Sequence, residues 1–276
     1  MTEGSRAIRR AAVGASKAAS AAVDAIRPRH RGIVVLLYHR VGASQLVQMD
    51  LATELFVQQM ETIGSRGVVA LASALDQLEG APGPSTDPNV VTFDDGTTDF
   101  ADVVLPVLAE HRVPATLYLA TDHIERQLPF PHDGRPLSWT ALSDALETGL
   151  VTIGSHTHTH ALLDRTAPAD AEQELRRSIA LIEDRLGVHP EHFAYPKAIA
   201  GSPANQTLVR RFFRSAAVAG TRPNRYGRTD VYRLARSPIQ ASDGMRWFEH
   251  KLRGGMRFED DLRRLVNRRR YAGAKS

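Results

Sequence analysis

Two adjacent carboxylates are the first residues in this sequence whose types and spacing suggest chemistry. Asp94 and Asp95 lie in the stretch NVVTFDDGTTDF, directly after a short apolar run and directly before Gly96. An Asp-Gly pair is common in turns, because Asp bonds its own backbone and Gly accepts positive φ. The alternative is an active-site position, because parallel α/β barrels place their chemistry at the carboxyl ends of strands.

Three histidines form the second candidate group, in the stretch IGSHTHTHALL. If this stretch is a strand, alternation places His156, His158 and His160 on one face, as in a three-His zinc site. If it is a helical turn or tight loop, only His156 and His160 point together. A surface cluster that holds no ligand is the third interpretation. Since the chain has no cysteine, any metal must be held by His, Asp or Glu.

Strands and helices are predicted to alternate from residue 33 to residue 250, with a loop over 121–138. Continuous apolar runs such as GIVVLLYHRV are typical of buried parallel strands. About seven or eight such strands close more naturally as a barrel than as an open sheet. The residues that directly follow the predicted strands are polar or titratable: Tyr38-His39, Asp94-Asp95, Thr121-Asp122, Ser155-His156, Tyr195-Pro196-Lys197 and Arg236.

The charge is distributed unevenly and suggests three parts. Residues 1–31 carry seven Lys/Arg against two acids, residues 251–276 carry nine against three, and the remaining residues 32–250 have a net charge of −7. We therefore predict a basic Ala-rich amino-terminal arm (1–31, an amphipathic helix or disordered), a globular domain (32–250) and a basic helix or tail (251–276). The acidic domain argues against a nucleic-acid groove.

The basic ends are either solvated extensions with no partner or segments that are weakly attracted to anionic membrane surfaces. No apolar run is long enough to span a bilayer, and the amino terminus lacks a secretory apolar region. These patterns predict a cytoplasmic protein. The basic ends would also allow it to associate with a membrane surface.

Three ordered motifs make the chain resemble a known family. TFDDG at 92–96, SHTHTH at 155–160 and FAYPK at 193–197 are similar to successive motifs of the polysaccharide deacetylases, the carbohydrate esterase family 4 or NodB-homology domain. LLYHRV, LSW and YRLAR also occur in the expected order. The resemblance covers about residues 33–250 and implies a distorted (β/α) barrel of about seven parallel strands, which agrees with the alternation of elements.

The resemblance implies roles for individual residues. Asp94 would be the general base, and Asp95, His156 and His160 would hold a divalent cation, Zn²⁺ being the best match to imidazole and carboxylate ligands. His158 would be a bystander. The backbone N–H of Lys197 would help to hold the oxyanion. Substrate contacts would come from Tyr195, Pro196 and Trp139, although Trp139 fits a core position equally well.

The chain departs from the family pattern at two places. Many members have Arg-Pro-Pro-Tyr in the third motif, where this chain has Ala194-Tyr195-Pro196-Lys197, so the Arg that orients the base is missing. Many members end in Leu-x-His, whose His is the general acid, where this chain has Arg236. Arg cannot donate a proton at neutral pH. Either His39, which could equally be structural, protonates the leaving amine, or Arg236 clamps Asp94 and water carries the proton.

The function implied is a metal-dependent N-deacetylase that acts on N-acetyl-hexosamine units of a polysaccharide or glycan precursor. Hydrolases of cyclic amides or imides share this fold but often lack part of the metal triad, which is complete here. The third hypothesis is a carbohydrate-binding pseudoenzyme that has lost its acid catalyst. A turnover assay with added metal separates the pseudoenzyme from the two enzymes.

Overall fold

Seven short parallel strands close into a barrel at the centre of the computed structural model, which describes residues 3–26, 30–42, 47–80 and 85–271. Each strand hydrogen-bonds to the next, and β9 returns to β1. The barrel strands in order are β1 (Val34–Tyr38), β4 (Asn89–Phe93), β5 (Ala115–Leu119), β6 (Val151–Ser155), β7 (His192–Ala194), β8 (Ser215–Ala219) and β9 (Leu234–Pro238). Two-residue strands β2 (Arg40–Val41) and β3 (Asp50–Leu51) pair beside the barrel.

Helices connect consecutive strands of the barrel, except that only a single 3₁₀ turn lies between β8 and β9, and further helices lie before β1 and after β9. The α-helices are α1 (Glu3–Ile26), α2 (Thr53–Arg66), α3 (Leu71–Glu79), α4 (Leu105–His111), α5 (Thr121–Arg126), α6 (Trp139–Glu147), α7 (Pro168–Leu186), α8 (Pro203–Phe212), α9 (Gly244–Leu252) and α10 (Arg257–Tyr271). A π-helical turn, Phe100–Val104, leads into α4. Single 3₁₀ turns occur at Pro196–Ala198, Val231–Arg233 and Ala241–Asp243.

The predicted α/β barrel of about seven parallel strands is confirmed. The loop predicted over 121–138 is wrong for its first part, because Thr121–Arg126 forms helix α5. The polar sequence TDHIER resembles a loop, but Ile124 is buried in the main apolar cluster and anchors the turn. Gln127, with φ 52°, then ends the helix.

The apolar core surrounds the barrel on several sides. The largest cluster packs the outer faces of the strands against α2, α4, α6 and α9. A second cluster joins Val35 and Tyr118 of the barrel to Leu71 and Leu75 of α3. Because burial of apolar surface is the main force that holds these layers together, the strand ends that carry the candidate site are fixed from several directions.

The amino-terminal segment forms helix α1 and packs against α10. The Lys17 ammonium is 1% exposed and pairs with the Asp243 carboxylate, which Lys251 also contacts at 2.7 Å. Helix α9 runs across the predicted boundary at residue 250, and the boundaries at 31 and 250 stay predictions. Within the described residues, no helix is both long enough and apolar enough to cross a membrane.

Candidate active site

The turn after β4 separates the two neighbouring carboxylates. Asp95 has φ 77° and Gly96 has φ 96°, both in the left-handed region, and the Gly96 N–H donates to the Asp94 carbonyl at 3.1 Å. A Cβ on Gly96 would lie 2.8 Å from a Leu119 methyl group, so this turn requires glycine. The result is two environments: the Asp94 side chain is 3% exposed and the Asp95 side chain 19%.

Arg236 forms a bidentate hydrogen-bonded pair with the Asp94 carboxylate. The two N–H···O distances are 2.6 Å to Oδ1 and 2.8 Å to Oδ2, and the Arg236 side chain is completely buried. A further N–H donates to the Thr92 hydroxyl at 3.3 Å, and the guanidinium lies 5.1 Å from the centre of the Tyr118 ring. Arg236 reaches this position from β9, where it pairs in register with Val35 and Ala219.

The pair keeps Asp94 ionised. Burial by itself raises the pKa of Asp94, but the Arg236 charge, followed by His156, outweighs burial and lowers the pKa to about 2. A charge-assisted bidentate pair of this kind fixes both the protonation state and the orientation of a carboxylate. The geometry is the one that the clamp hypothesis for Arg236 requires.

Asp95, His156 and His160 come together as a candidate metal site. One ligand atom of each lies within 4.8 Å of the others. The Asp95 Oδ1 atom is 3.8 Å from the His156 Nε2 and 3.6 Å from the His160 Nε2. The His156 Nδ1 lies 2.7 Å from the Ala194 carbonyl oxygen, to which it donates as N–H. This bond leaves the lone pair of Nε2 directed at the group, as a metal ligand needs.

Both imidazoles are kept neutral, which metal binding also requires. Burial is the main cause of the lowered pKa of His156. For His160, burial and then the neighbouring His156 lower the pKa to about 3. Two neutral imidazoles and one carboxylate form the donor set of many catalytic zinc sites, so these residues fit a divalent cation.

His158 points away from this group. Thr157 and His160 both have positive φ, 65° and 61°, so the alternation of a strand ends with β6. The His158 Nδ1 instead lies 3.0 Å from the Thr121 hydroxyl, and its Nε2 lies 3.4 Å from the Asp122 carboxylate on α5. The structure therefore groups two of the three histidines with Asp95 and does not bring the third to them.

Glu174 on α7 holds the loop that carries these histidines, and the sequence analysis missed it. Its carboxylate accepts the backbone N–H groups of His158 at 3.0 Å and Thr159 at 2.7 Å, and the Thr159 hydroxyl at 2.9 Å. Three bonds to one carboxylate stabilise a loop that contains two left-handed residues. In the sequence, Glu174 is one of several acids on an amphipathic helix, and nothing there distinguishes it.

Two further predicted residues lie near the group. His39 directly follows β1 and is half-buried, and its charge contributes to the lowered pKa of both Asp94 and Asp95. Lys197 lies in the turn after β7 with φ 53° and an exposed side chain. Among the described residues, none accepts a hydrogen bond from the Lys197 N–H, which leaves this donor available.

The three residues predicted to contact substrate are mostly shielded from solvent. Tyr195 is fully buried against Phe193, so its side chain packs in the core and offers no surface to a glycan. Pro196 is also buried and begins the 3₁₀ turn. Trp139 is half-buried against the main apolar cluster, and its indole N–H donates to Glu125 at 2.7 Å, the core position given as the alternative.

Comparison with known proteins agrees with this architecture. Residues 83–210 match the family model described as polysaccharide deacetylase. Among solved structures, IcaB from Ammonifex degensii is 23% identical with a TM-score of 0.72 over 81% of this chain and 98% of that chain. The Streptococcus pyogenes deacetylase PplD, in complex with acetate, is 19% identical with a TM-score of 0.68 over 80% and 98%.

The deacetylase domain of BpsB from Bordetella bronchiseptica is 19% identical with a TM-score of 0.62, over 77% of this chain and 98% of that chain. At these identities the structural likeness speaks for the fold. No curated protein matches the sequence. The match of residues 83–210 covers just under half of the chain, so together with this barrel it makes the chain similar to the polysaccharide deacetylases, a family of hydrolases of amide carbon–nitrogen bonds.

Proposed function

We propose that this protein is a metal-dependent N-deacetylase that removes acetyl groups from N-acetyl-hexosamine units of a polysaccharide or a glycan precursor. The observation that carries the proposal is the grouping of Asp95, His156 and His160 within 4.8 Å, directly beside an ionised Asp94. A site with three protein ligands and an open position is typical of catalytic rather than structural zinc.

The three ligand residues would hold Zn²⁺, the divalent cation that best suits two imidazoles and a carboxylate. When bound, such a cation supplies Lewis acidity, which lowers the pKa of a coordinated water and polarises an amide carbonyl. The chain supports this role through the Ala194 carbonyl, which fixes the tautomer of His156, and through Glu174, which fixes the loop between the two histidines.

Asp94 would accept the proton of the attacking water. Its carboxylate is 3.8 Å from the His156 Nε2, so it borders the ligand group without being one of the grouped residues. Arg236 holds it in one orientation, which takes the place of the Arg that many family members carry in the third motif. The free N–H of Lys197 would donate to the oxyanion that develops on the former carbonyl.

The leaving amine needs a proton, and Arg236 cannot supply it because its guanidinium stays charged. The other proton donor that the sequence analysis named is His39. It lies close enough to lower the pKa of both Asp94 and Asp95. The proton would come from His39 or from water, with Arg236 as a positioning residue in either case.

The test combines metal content with acetate release from a panel of N-acetylated glycans, before and after chelation and zinc return. We expect acetate release that follows zinc content. Asp94→Asn should keep the metal and lower turnover by at least ~10²-fold, the usual scale for a general base. Hydrolysis of cyclic amides or imides alone would assign the second enzyme class, and zinc-loaded protein that binds glycans without turnover would identify a pseudoenzyme.

A further inference from the structure

The exposed apolar side chains of this protein are concentrated on the two terminal helices. Among the described side chains, every large apolar residue classed as exposed lies on α1 or α10, and none lies on the barrel. On α10 these residues recur at helical spacing and are between 43% and 53% exposed: Phe258, Leu262, Leu265 and Val266. This spacing forms one apolar stripe, here called the α10 stripe, along the solvent side of the helix.

The opposite side of α10 is anchored to α1 and to the barrel. The Glu259 N–H donates to the Ser20 hydroxyl at 3.2 Å, and the Met256 N–H donates to the Asp24 carboxylate. Asp260 is 2% exposed and accepts the N–H of Thr221 at 3.4 Å. Because these anchors fix the rotation of α10 about its axis, the α10 stripe cannot turn inward without breaking them.

The tertiary structure also brings the two basic ends of the sequence together. Ser20 meets Glu259 and Asp24 meets Met256, so α1 and α10 are antiparallel, and the Arg-rich segment 263–270 runs toward the amino-terminal half of α1. Residues 1–31 and 251–276 have net charges of +5 and +6, whereas residues 32–250 have −7. These sums include the buried Lys17 and Lys251; without them the two segments still have net charges of +4 and +5, so two basic segments of the sequence lie beside the exposed apolar side chains.

We propose that α1 and α10 together dock on an anionic lipid bilayer, with the α10 stripe in the interface and the basic segments against the lipid headgroups. An amphipathic basic helix binds such surfaces through buried apolar area and attraction to anionic lipids. A second copy of this chain is disfavoured because it would present the same positive charge. A nucleic acid would use the charge but would leave the apolar side chains in water.

The anchors of the helix pair lie along the side of the barrel beside β8, β9 and β1. Thr221 follows β8 by two residues and Asp243, the partner of Lys17, follows β9 by five. Gly254, just before α10, lies against Pro223, and the next residue, Asn224, bonds Ile33 at the amino end of β1. Docking would therefore hold this side of the barrel against the bilayer.

The experiment measures co-sedimentation of the full chain with vesicles of phosphatidylcholine, with or without one third phosphatidylglycerol. We expect binding to the anionic vesicles at about 0.1 M salt, and strong weakening at about 1 M salt, where the Debye length falls to about 3 Å. The double variant Leu262→Ser/Leu265→Ser should weaken binding at least about tenfold, because both side chains leave the apolar interface. Circular dichroism checks that each variant is folded.

Charge variants separate a bilayer interface from general basicity. Arg268→Gln/Arg269→Gln, at positions whose helical spacing places them beside the α10 stripe, should weaken vesicle binding by about fivefold per residue. The matched control, Arg176→Gln/Arg211→Gln, removes two exposed arginines from α7 and α8 and should leave binding unchanged.

Three results would overturn the proposal: no binding to anionic vesicles at low salt, binding that the serine variant leaves unchanged, or a dimer in sedimentation equilibrium that the serine variant abolishes. Tight binding to a short DNA duplex with none to vesicles would assign the surface to nucleic acid instead. Because no arm measures turnover, failure here is distinguishable from failure of the proposed deacetylase activity.

Discussion

Asp94 and Asp95 show how one residue of separation gives two carboxylates different chemistry. Asp94 turns into the barrel and meets Arg236, whereas Asp95, in a left-handed conformation, turns toward His156 and His160. The pKa of Asp95 is lowered because His160, His39 and His156 outweigh the effect of burial. The two carboxylates would repel each other. Arg236 offsets the charge of Asp94, and the neighbouring histidines offset that of Asp95.

The first prediction at this scale concerns the proposed metal ligands. His160→Ala should weaken zinc binding by at least about a hundredfold, the upper end of what loss of an outer-shell partner costs. His158→Gln should bind zinc normally, because the His158 ring contacts Thr121 and Asp122 instead. Calorimetric zinc titration of chelated protein measures both. Loss of zinc in His158→Gln with retention in Asp95→Ala would show a three-His site.

The second prediction concerns the clamp on Asp94. Arg236→Lys should keep zinc but lower kcat at least about tenfold, because an ammonium cannot reproduce the two-pronged bond. With Arg236 present the pKa of Asp94 is about 2, so the carboxylate of this proposed base stays ionised at higher pH. Arg236→Gln removes the cation and raises that pKa, so activity should be lost on the acidic side at a higher pH than in the wild type.

A pH–rate profile of zinc-loaded enzyme checks this shift. An acidic limb that stays in place when Arg236 is replaced would show that Asp94 is not the group being protonated.

At the scale of elements, α7 positions the loop after β6 through Glu174. The loop must hold Thr157 and His160 at positive φ while His156 and His160 face Asp95. Such strained backbone persists only where its surroundings hold it, and here one carboxylate accepts three hydrogen bonds. The geometry of the candidate metal site therefore depends on a helix that contributes none of its three residues.

We predict that Glu174→Gln weakens zinc binding by about 10-fold or more, the range found when outer-shell partners of metal ligands are lost. A neutral amide accepts hydrogen bonds less strongly than a carboxylate, so the loop should be held less firmly. Glu172→Gln is the matched control, because Glu172 lies two residues before Glu174 on α7 and pairs with the exposed Arg176 instead. Reduced thermal stability with unchanged zinc affinity would reduce Glu174 to a structural role.

At the scale of the whole molecule, a buried charge network ties the two ends of the chain to the barrel. Lys17 from α1, Asp243 before α9, Lys251 from α9 and Glu259 from α10 approach one another, with Lys17 and Glu259 3.1 Å apart. The pKa of Asp243 is lowered because Lys251 and Lys17 outweigh the effect of burial. Removal of one partner from such a network leaves an uncompensated charge in the protein interior, which is costly because water cannot solvate it.

Lys17→Met should therefore destabilise the protein by about 3 kcal/mol, the low end for a broken buried pair, since Lys251 still faces Asp243. Urea unfolding measures the change. Arg185→Met is the control: its pair with Glu125 lies at the surface, where water screens the attraction, so this variant should lose far less stability than Lys17→Met. Equal losses in the two variants would mean that α1 contributes little to stability.

The sequence by itself predicted an alternation of strands and helices and a barrel of about seven or eight parallel strands, and the family resemblance predicted about seven. These features depend on local patterns: continuous apolar runs for buried strands and helical periodicity between them. The same patterns put Asp94, His156 and Arg236 directly after predicted strands, and so predicted that polar side chains would gather at one end of the barrel; the structure places Arg236 within β9 instead. Helix α5 was missed because its six residues are too few to show a period.

The tertiary structure alone decided which side chains pair. Arg236 and Asp94 are 142 residues apart in sequence, and only closure of β9 onto β1 brings them together. Backbone conformation at Thr157 and His160 separates His158 from its neighbours, and no spacing rule specifies it. Docking of α1 through Lys17 likewise depends on partners more than 200 residues away. Local periodicity specifies elements, whereas contacts across such distances follow from how the elements pack.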